Sequence, residues 1–337
     1  MIEGHGDDIF RYKGRVRINF STNIPQCVSH DGLVQHLYDC GAVFRNYPEP
    51  EPRSVERRLS ERHGVSEKNV IVTNGATEAI YLIAQYYAGR RSAIIAPTFR
   101  EYQDACCVFG HEVKFINGLG QIDEIKTDLV WLCNPNNPSG CVYERSELLS
   151  VIDHYPERIF IIDQAYGRYA VKPVLTEEDV MARRNVVLLN SLTKQFVVPG
   201  LRIGYAIAPE WVVEKLRGIR MPWSVNSLAI EAAHYLLEHE VDYAVDYEEL
   251  HRETLRLGEC LKEMGIRVQP SDCNFILAVL PDRTASQLKE WLIEKHGILI
   301  RDASNFEGLT PRHFRIAAQT KEENNKLIEA LREWISL

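Results

Sequence analysis

Residues 191–205 read SLTKQFVVPGLRIGY: Ser191 and Thr193 stand around Lys194, a Pro-Gly break follows, and Arg202 leads an apolar run. Converging hydroxyls and a guanidinium suit a dianionic phosphate. A lysine held beside that anion can form an imine with an aldehyde. Five further stretches carry residues with chemical use. TNGATEAI (73–80) is a small-residue turn opening a helix, either an ordinary strand-to-helix turn or a phosphate cradle of free N–H groups. PTFREY (97–102) sets Phe99 and Tyr102 past a strand, to fill core space or to stack on a flat ring. CNPNNPSG (133–140) has two Asn-Pro pairs that force an irregular loop, whose amides hold the turn or donate to a ligand. IIDQAY (161–166) ends an apolar strand on Asp163, where a charge is costly without a partner. A salt bridge would serve there, and so would a protonated ring nitrogen. Arg301 and Arg315 fall in later strand patterns, where a surface charge or ion pair is the default reading.

These stretches need a scaffold that brings strand ends together. From residue 70 to about 208, Val- and Ile-rich runs alternate with amphipathic helical patterns. The runs are 69–73, 92–97, 112–116, 128–133, 158–163, 186–191 and 202–208. Runs apolar on successive residues are buried strands of a mostly parallel sheet. Residues 77–87 place Ala79, Ile80, Ile83 and Tyr87 on one helical face. The alternation predicts an α/β fold with ligands at the carboxyl ends of the strands. After residue 225 the texture changes. Residues 246–265 carry Leu250, Leu257, Leu261 and Met264 at helical spacing, followed by strand-like 274–280, a helix near 284–295, strand-like 297–302 and 313–318, and a helix from 321. That is a smaller α+β module.

The chain has 337 residues, 45% hydrophobic and 26% charged, with a net charge of -8. This globular composition argues against nucleic-acid or membrane-surface partners, which require a basic face. No apolar run nears the roughly 20 residues of a membrane span. MIEGHGDDIF shows no signal-peptide pattern. The eight cysteines show no C-x-x-C and no paired metal spacing, so reduced thiols in a cytoplasmic protein and no metal site are expected. G-x-G-x-x-G and G-x-x-x-x-G-K-[ST] are both missing, which excludes a nicotinamide dehydrogenase and a P-loop nucleotide enzyme.

In this order, NPNNPSG, DQAY and SLTK…PGLRIGY resemble the aspartate-aminotransferase-like (fold-type I) enzymes that use pyridoxal 5'-phosphate (PLP). The resemblance covers essentially the whole chain. It implies a large domain over 31–235 with a seven-stranded sheet, and a small α+β domain built from 1–30 and 236–337. It also implies that Lys194 carries PLP and moves protons at the substrate Cα, and that Asp163 pairs with the pyridine nitrogen. Tyr166 and Asn137 would bond the ring's phenolic oxygen, with Phe99, or else Tyr102, stacked on the ring. Ala76, Thr77, Ser191, Thr193 and Arg202 would hold the phosphate, and Arg315 the substrate carboxylate. Tyr47, in FRNYPEPEP (44–52), would reach the phosphate in a neighbouring subunit of a homodimer. Gln164 departs from the Glu of many relatives, with Asp163 and Tyr166 intact beside it.

Two subgroups share these motifs: histidinol-phosphate aminotransferases and L-threonine-O-3-phosphate decarboxylases of cobalamin synthesis. HGDD and FSTNI near the start, Pro199 before the Gly, MPWSVNSLA (221–229) and LIRDASNFEGLTPRHFRIA (299–317) resemble the decarboxylase. The substrate phosphate would then meet Arg301, helped by His5, Ser21 and Asn23, although His5 reads equally as part of a solvated terminus. Some relatives are effector-sensing domains of transcription regulators. The matching motifs begin by residue 5 here, so no DNA-binding domain is expected. The intact Lys194, Asp163 and Arg202 weigh against a degenerate, non-enzymatic homologue.

Overall fold

A computed structural model describes residues 8–12 and 14–337. Strand β1 (Ile18–Asn19) precedes α1 (Asp31–Asp39) and α2 (Arg53–His63). Strand and helix then alternate through β2 (Val70–Thr73), α3 (Gly75–Tyr86), β3 (Arg91–Ile95), α4 (Glu101–Val108), β4 (Glu112–Ile116), β5 (Leu129–Cys133) and α5 (Arg145–His154). The series continues with β6 (Ile159–Asp163), α6 (Glu177–Met181), β7 (Val186–Asn190), α7 (Leu192–Gln195) and β8 (Gly204–Ile207). Helices α8 (Glu210–Ile219), α9 (Ser227–Glu238) and α10 (Tyr247–Glu263) follow. The chain ends on β9 (Arg267–Val268), β10 (Phe275–Val279), α11 (Ala285–His296), β11 (Ile298–Leu299), β12 (Arg301–Asp302), β13 (His313–Ala317) and α12 (Lys321–Ser336).

Strands β2 to β8 form one seven-stranded sheet in the order β2-β8-β7-β6-β5-β3-β4, parallel except for β8. The expected α/β architecture is borne out. Period-two alternation sends Val130, Leu132, Phe160, Ile162, Val186 and Leu188 into the core on one side. Trp131, Ile161, Val187 and Leu189 go to the other, against α3, α4 and α8. Both faces are covered, which is why the strands are apolar on successive residues. The exception is β4, an edge strand whose Glu112 and Lys114 are exposed.

Strands β12-β13-β10-β9 make an antiparallel sheet. It packs with α10, α11 and α12 around Leu257, Leu261, Phe275, Leu292, Phe314 and Leu331. β1 pairs in parallel with β11.

Two expected strands differ. Residues 297–302 split at Ile300 because β11 serves β1 while β12 serves β13. The run 202–208 begins only at Gly204, since Arg202 takes a left-handed backbone with φ 58°. Tyr87 and Met264, expected on buried helical faces, are C-cap residues.

Candidate active site

The in-register pairs Cys133↔Asp163, Asp163↔Leu189, Asn190↔Tyr205 and Thr73↔Gly204 align the ends of β5, β6, β7, β8 and β2. A cavity of about 380 Å³ opens on that edge. Its walls include Ala76, Thr77, Phe99, Asn137, Asp163, Tyr166, Ser191, Thr193, Lys194, Arg202 and Arg315. Residues far apart in the chain thus meet at the carboxyl ends of one sheet, where α/β folds bind ligands.

One end of the cavity is made for an anion. Gly75 opens α3 with φ 73°, and a Cβ there would lie 2.6 Å from Arg202 Nη2. The first N–H groups of a helix have no partner within it, and Thr77 and Ser191 add hydroxyls. Gly204 explains the glycine of LRIGY. A Cβ on it would stand 2.5 Å from Ala76 N and 2.9 Å from Asn190 O, so the start of α3 could not sit against β7 and β8. Thr193 donates to Ile203 O at 3.2 Å, which ties α7 to the beginning of β8. Val197, at φ 57°, and Arg202 bracket the loop after Lys194 in a conformation that is strained for a β-branched residue.

At the other end Asp163 is buried. Its Oδ2 accepts from Tyr102 Oη at 2.7 Å and its Oδ1 from Ala165 N at 2.9 Å. Burial pushes the Asp163 carboxyl up, while Tyr102, the Ala165 N–H and the Lys194 charge oppose that rise. The residue offered as a second stacking candidate is therefore a buried phenol that orients the carboxylate. No cation pairs with Asp163 at ion-pair distance among the described residues, so the salt-bridge reading fails. Phe99 meets Tyr102 edge-on at 5.8 Å and remains at the cavity wall.

Lys194 Nζ lies 3.5 Å from Thr22 O and 5.7 Å from the centre of the Tyr166 ring. Arg315 is buried. It donates to Asn137 Oδ1 and to Ser21 O, both neutral oxygens, and burial pushes its pKa down. With Oδ1 engaged, Asn137 has its Nδ2 donor to offer a ligand.

Arg301 pairs in register with Arg315 and lines a smaller adjoining recess with Arg100, Asn305 and Phe306. It donates to Asp302 O at 2.6 Å and to Asn305 Oδ1 at 2.7 Å. Asn23 is fully buried with φ 59°, its side chain beside the Tyr166 hydroxyl. Ser21 is buried and donates to Asn19 Oδ1.

Tyr47 stands outside the cavity, 86% exposed, against Trp223. His5 lies outside the described residues. Gln164 turns away from the cavity wall and bonds both backbone groups of Leu175, at 3.0 and 3.1 Å. A glutamate could not donate the second of these bonds. Cys133, Glu101 and Thr22 also line the cavity and carried no sequence signal beyond their neighbours' motifs. Tyr102 did carry one: it follows Phe99 by one helical turn.

The model of the family described as aminotransferase class I and II matches residues 16–331. The chain belongs to that family. Its members are PLP enzymes, and the resemblance read from the motifs is borne out. The crystal structure of L-threonine-O-3-phosphate decarboxylase from Porphyromonas gingivalis superposes with a TM-score of 0.91 at 37% identity, covering 95% of this chain and 100% of that one. Caldanaerobacter subterraneus subsp. tengcongensis has a histidinol-phosphate aminotransferase 32% identical to this chain, covering 86% of this chain and 84% of its own. The PLP complex of histidinol-phosphate aminotransferase from Sinorhizobium meliloti shares the fold, with a TM-score of 0.87 at 19% identity over 99% of this chain and 95% of that one.

The cavity fits that cofactor on its own terms. An anion cradle at Gly75 and Arg202, a buried carboxylate at the far end and a lysine in the wall match a ring with a phosphate, a basic nitrogen and an aldehyde. No helix among the described residues is long and apolar enough to cross a membrane.

Proposed function

We propose that this protein is a PLP-dependent decarboxylase of L-threonine O-3-phosphate, working in the cytoplasm as a homodimer. The observation that carries the reading is Arg315: a buried guanidinium whose bonds run to two neutral oxygens, with no carboxylate pairing it among the described residues. An isolated buried charge is costly, and a substrate carboxylate supplies the missing counter-charge in bidentate form. Arg301, opposite it in register, offers a second cationic group for a substrate that is also phosphorylated. Asn23 and His5 would assist there. The similarity to the Porphyromonas decarboxylase supports the same choice.

In this reading Ala76, Thr77, Ser191, Thr193 and Arg202 would hold the cofactor phosphate, and Phe99 would cover one face of the ring. Asp163 would accept from the ring N–H, while Tyr166 and Asn137 would donate to the phenolic oxygen. PLP, when bound, supplies an electron sink for the pair left on Cα as a bond there breaks. Lys194 returns a proton to Cα after CO2 departs. Arg315 decides which bond breaks, because it fixes the direction in which the carboxylate points. Positioning of that kind is worth several orders of magnitude in rate.

Residues 31–235 would form the cofactor-binding unit, with 1–30 and 236–337 the unit that closes over it. The exposed apolar side chains Val34, Tyr38, Phe44, Tyr47, Met221 and Trp223 would meet the second subunit. Tyr47 would there complete the neighbour's phosphate site.

Histidinol-phosphate transamination is the second reading, favoured by the 32% identity to an enzyme of that name. The test separates them. Incubation with L-threonine O-3-phosphate should release CO2 and (R)-1-aminopropan-2-yl phosphate, from a yellow protein that sediments as a dimer. Lys194→Ala should lose the adduct that borohydride fixes. Amino transfer from histidinol phosphate to 2-oxoglutarate, without CO2 release from the threonine phosphate, would reverse the assignment.

A further inference from the structure

Helix α1 carries His36 in its last turn and is capped by Cys40, whose backbone N–H bonds His36 O. Residues four apart share a helical face. That face packs on α9, which brings Glu231 up to the pair. His36 Nε2 is 3.7 Å from Cys40 Sγ and 4.0 Å from Glu231 Oε2. The three donor atoms all lie within 4.8 Å of one another. A tetrahedral zinc ion, with Zn–N and Zn–O of about 2.0–2.1 Å and Zn–S of about 2.3 Å, spaces nitrogen from sulfur by about 3.6 Å and nitrogen from oxygen by about 3.3 Å. The His36–Cys40 pair already has about that spacing, the His36–Glu231 pair must close by about 0.7 Å and the Cys40–Glu231 pair from at most 4.8 Å, movements that rotation of partly exposed side chains supplies.

A hydrogen bond between thiol and imidazole accounts for one of these contacts and no more, because a thiol is a weak donor. Glu231 adds an oxygen donor on the same imidazole: among the described residues its ion pair is with His36, not with a lysine or arginine. The imidazole is also held in place. It stacks on Tyr235 at 4.6 Å and 27°, and Tyr235 stacks on His239 at 4.1 Å.

We propose that His36, Cys40 and Glu231 bind one zinc ion, with water in the fourth position, and that the ion clamps α1 to α9. Mixed nitrogen, sulfur and oxygen donors suit zinc, whereas magnesium and calcium prefer oxygen alone. Binding releases the Cys40 thiol proton to solvent. Cysteine spacing could not reveal the site, since it uses one cysteine and a glutamate from a distant helix. None of the three residues lines the PLP cavity, so the site stands independently of the reaction assigned above.

The test uses reduced, chelator-treated holoprotein titrated with zinc chloride against a chromogenic chelator, followed by X-ray absorption at the zinc edge. One equivalent of tightly held zinc with a single sulfur neighbour is expected, together with a melting temperature that rises with zinc. Cys40→Ser and His36→Gln should each weaken binding by more than the ~10–100-fold that loss of an outer-sphere partner causes. Cys107→Ser, which removes an exposed thiol elsewhere, should change nothing. Uptake well below one equivalent would overturn the proposal, as would a sulfur neighbour that survives Cys40→Ser. Circular dichroism of each variant separates lost metal from lost fold.

Discussion

Tyr102 and Asp163 show how a single phenol can set the working range of a site. The carboxylate is buried, which raises its pKa, and the 2.7 Å bond from Tyr102 opposes that rise. Tyr102→Phe removes the opposing bond, so the pKa of Asp163 climbs further. The acidic limb of the rate profile should therefore move to higher pH, with retention of PLP falling over the same range. Stability should drop by about 1–3 kcal/mol as Asp163 Oδ2 loses its donor. A profile that keeps its acidic limb in place would show that the phenol does not tune the carboxylate. That Lys194, Asp163 and Arg202 share one cavity was legible from the order of their motifs and their places at strand ends, although each residue alone had an ordinary structural reading. Tyr102's bond was not, because position 102 supports a stacked ring, a core filler or a buried donor equally well, and only the fold says which atom it faces.

Helix α2 teaches the same lesson about elements. Its sequence RSVERRLSERH reads as a charged, solvated helix, yet Glu56 is fully buried. Glu56 accepts from Val72 N at 3.1 Å, from Arg220 at 3.1 Å and from Arg217 at 2.8 Å. Those arginines also donate to Val70 O and Val72 O, so α2, the outer strand β2 and the region of α8 are joined through one carboxylate. Glu56→Ala leaves Arg217 without its counter-charge and Arg220 with Glu51 alone, at 3.4 Å, and should cost about 3–5 kcal/mol in denaturant unfolding. A loss under about 1 kcal/mol would mean the network is solvated rather than structural. The strands themselves were legible because apolar runs of five residues have few other uses in an α/β chain. Their ends were less so: Arg202 looks like part of β8, and only its left-handed backbone, turned to meet the start of α3, removes it from the strand.

At the scale of the whole molecule, the cavity is assembled from parts of unequal firmness. Its floor belongs to a sheet of seven strands covered on both faces. Its wall at Ser21 and Thr22 hangs from β1, which has two residues in register with β11. Phe20 N–H to Leu299 O, Ala317 N–H to Phe20 O, Arg315 to Ser21 O, Lys194 to Thr22 O and Asn274 to Asn23 O add to the attachment. Local opening requires breaking fewer bonds there, where a single two-residue ladder joins β1 to β11, than in the seven-stranded sheet. In deuterated water the amides of Ile18 to Asn23 should thus exchange well ahead of those in β5 and β6, and an added carboxylate ligand should slow them through Arg315. Equal protection of wall and floor would contradict this. A wall that opens ahead of the floor would give a small molecule its way in without disturbing the strands beneath.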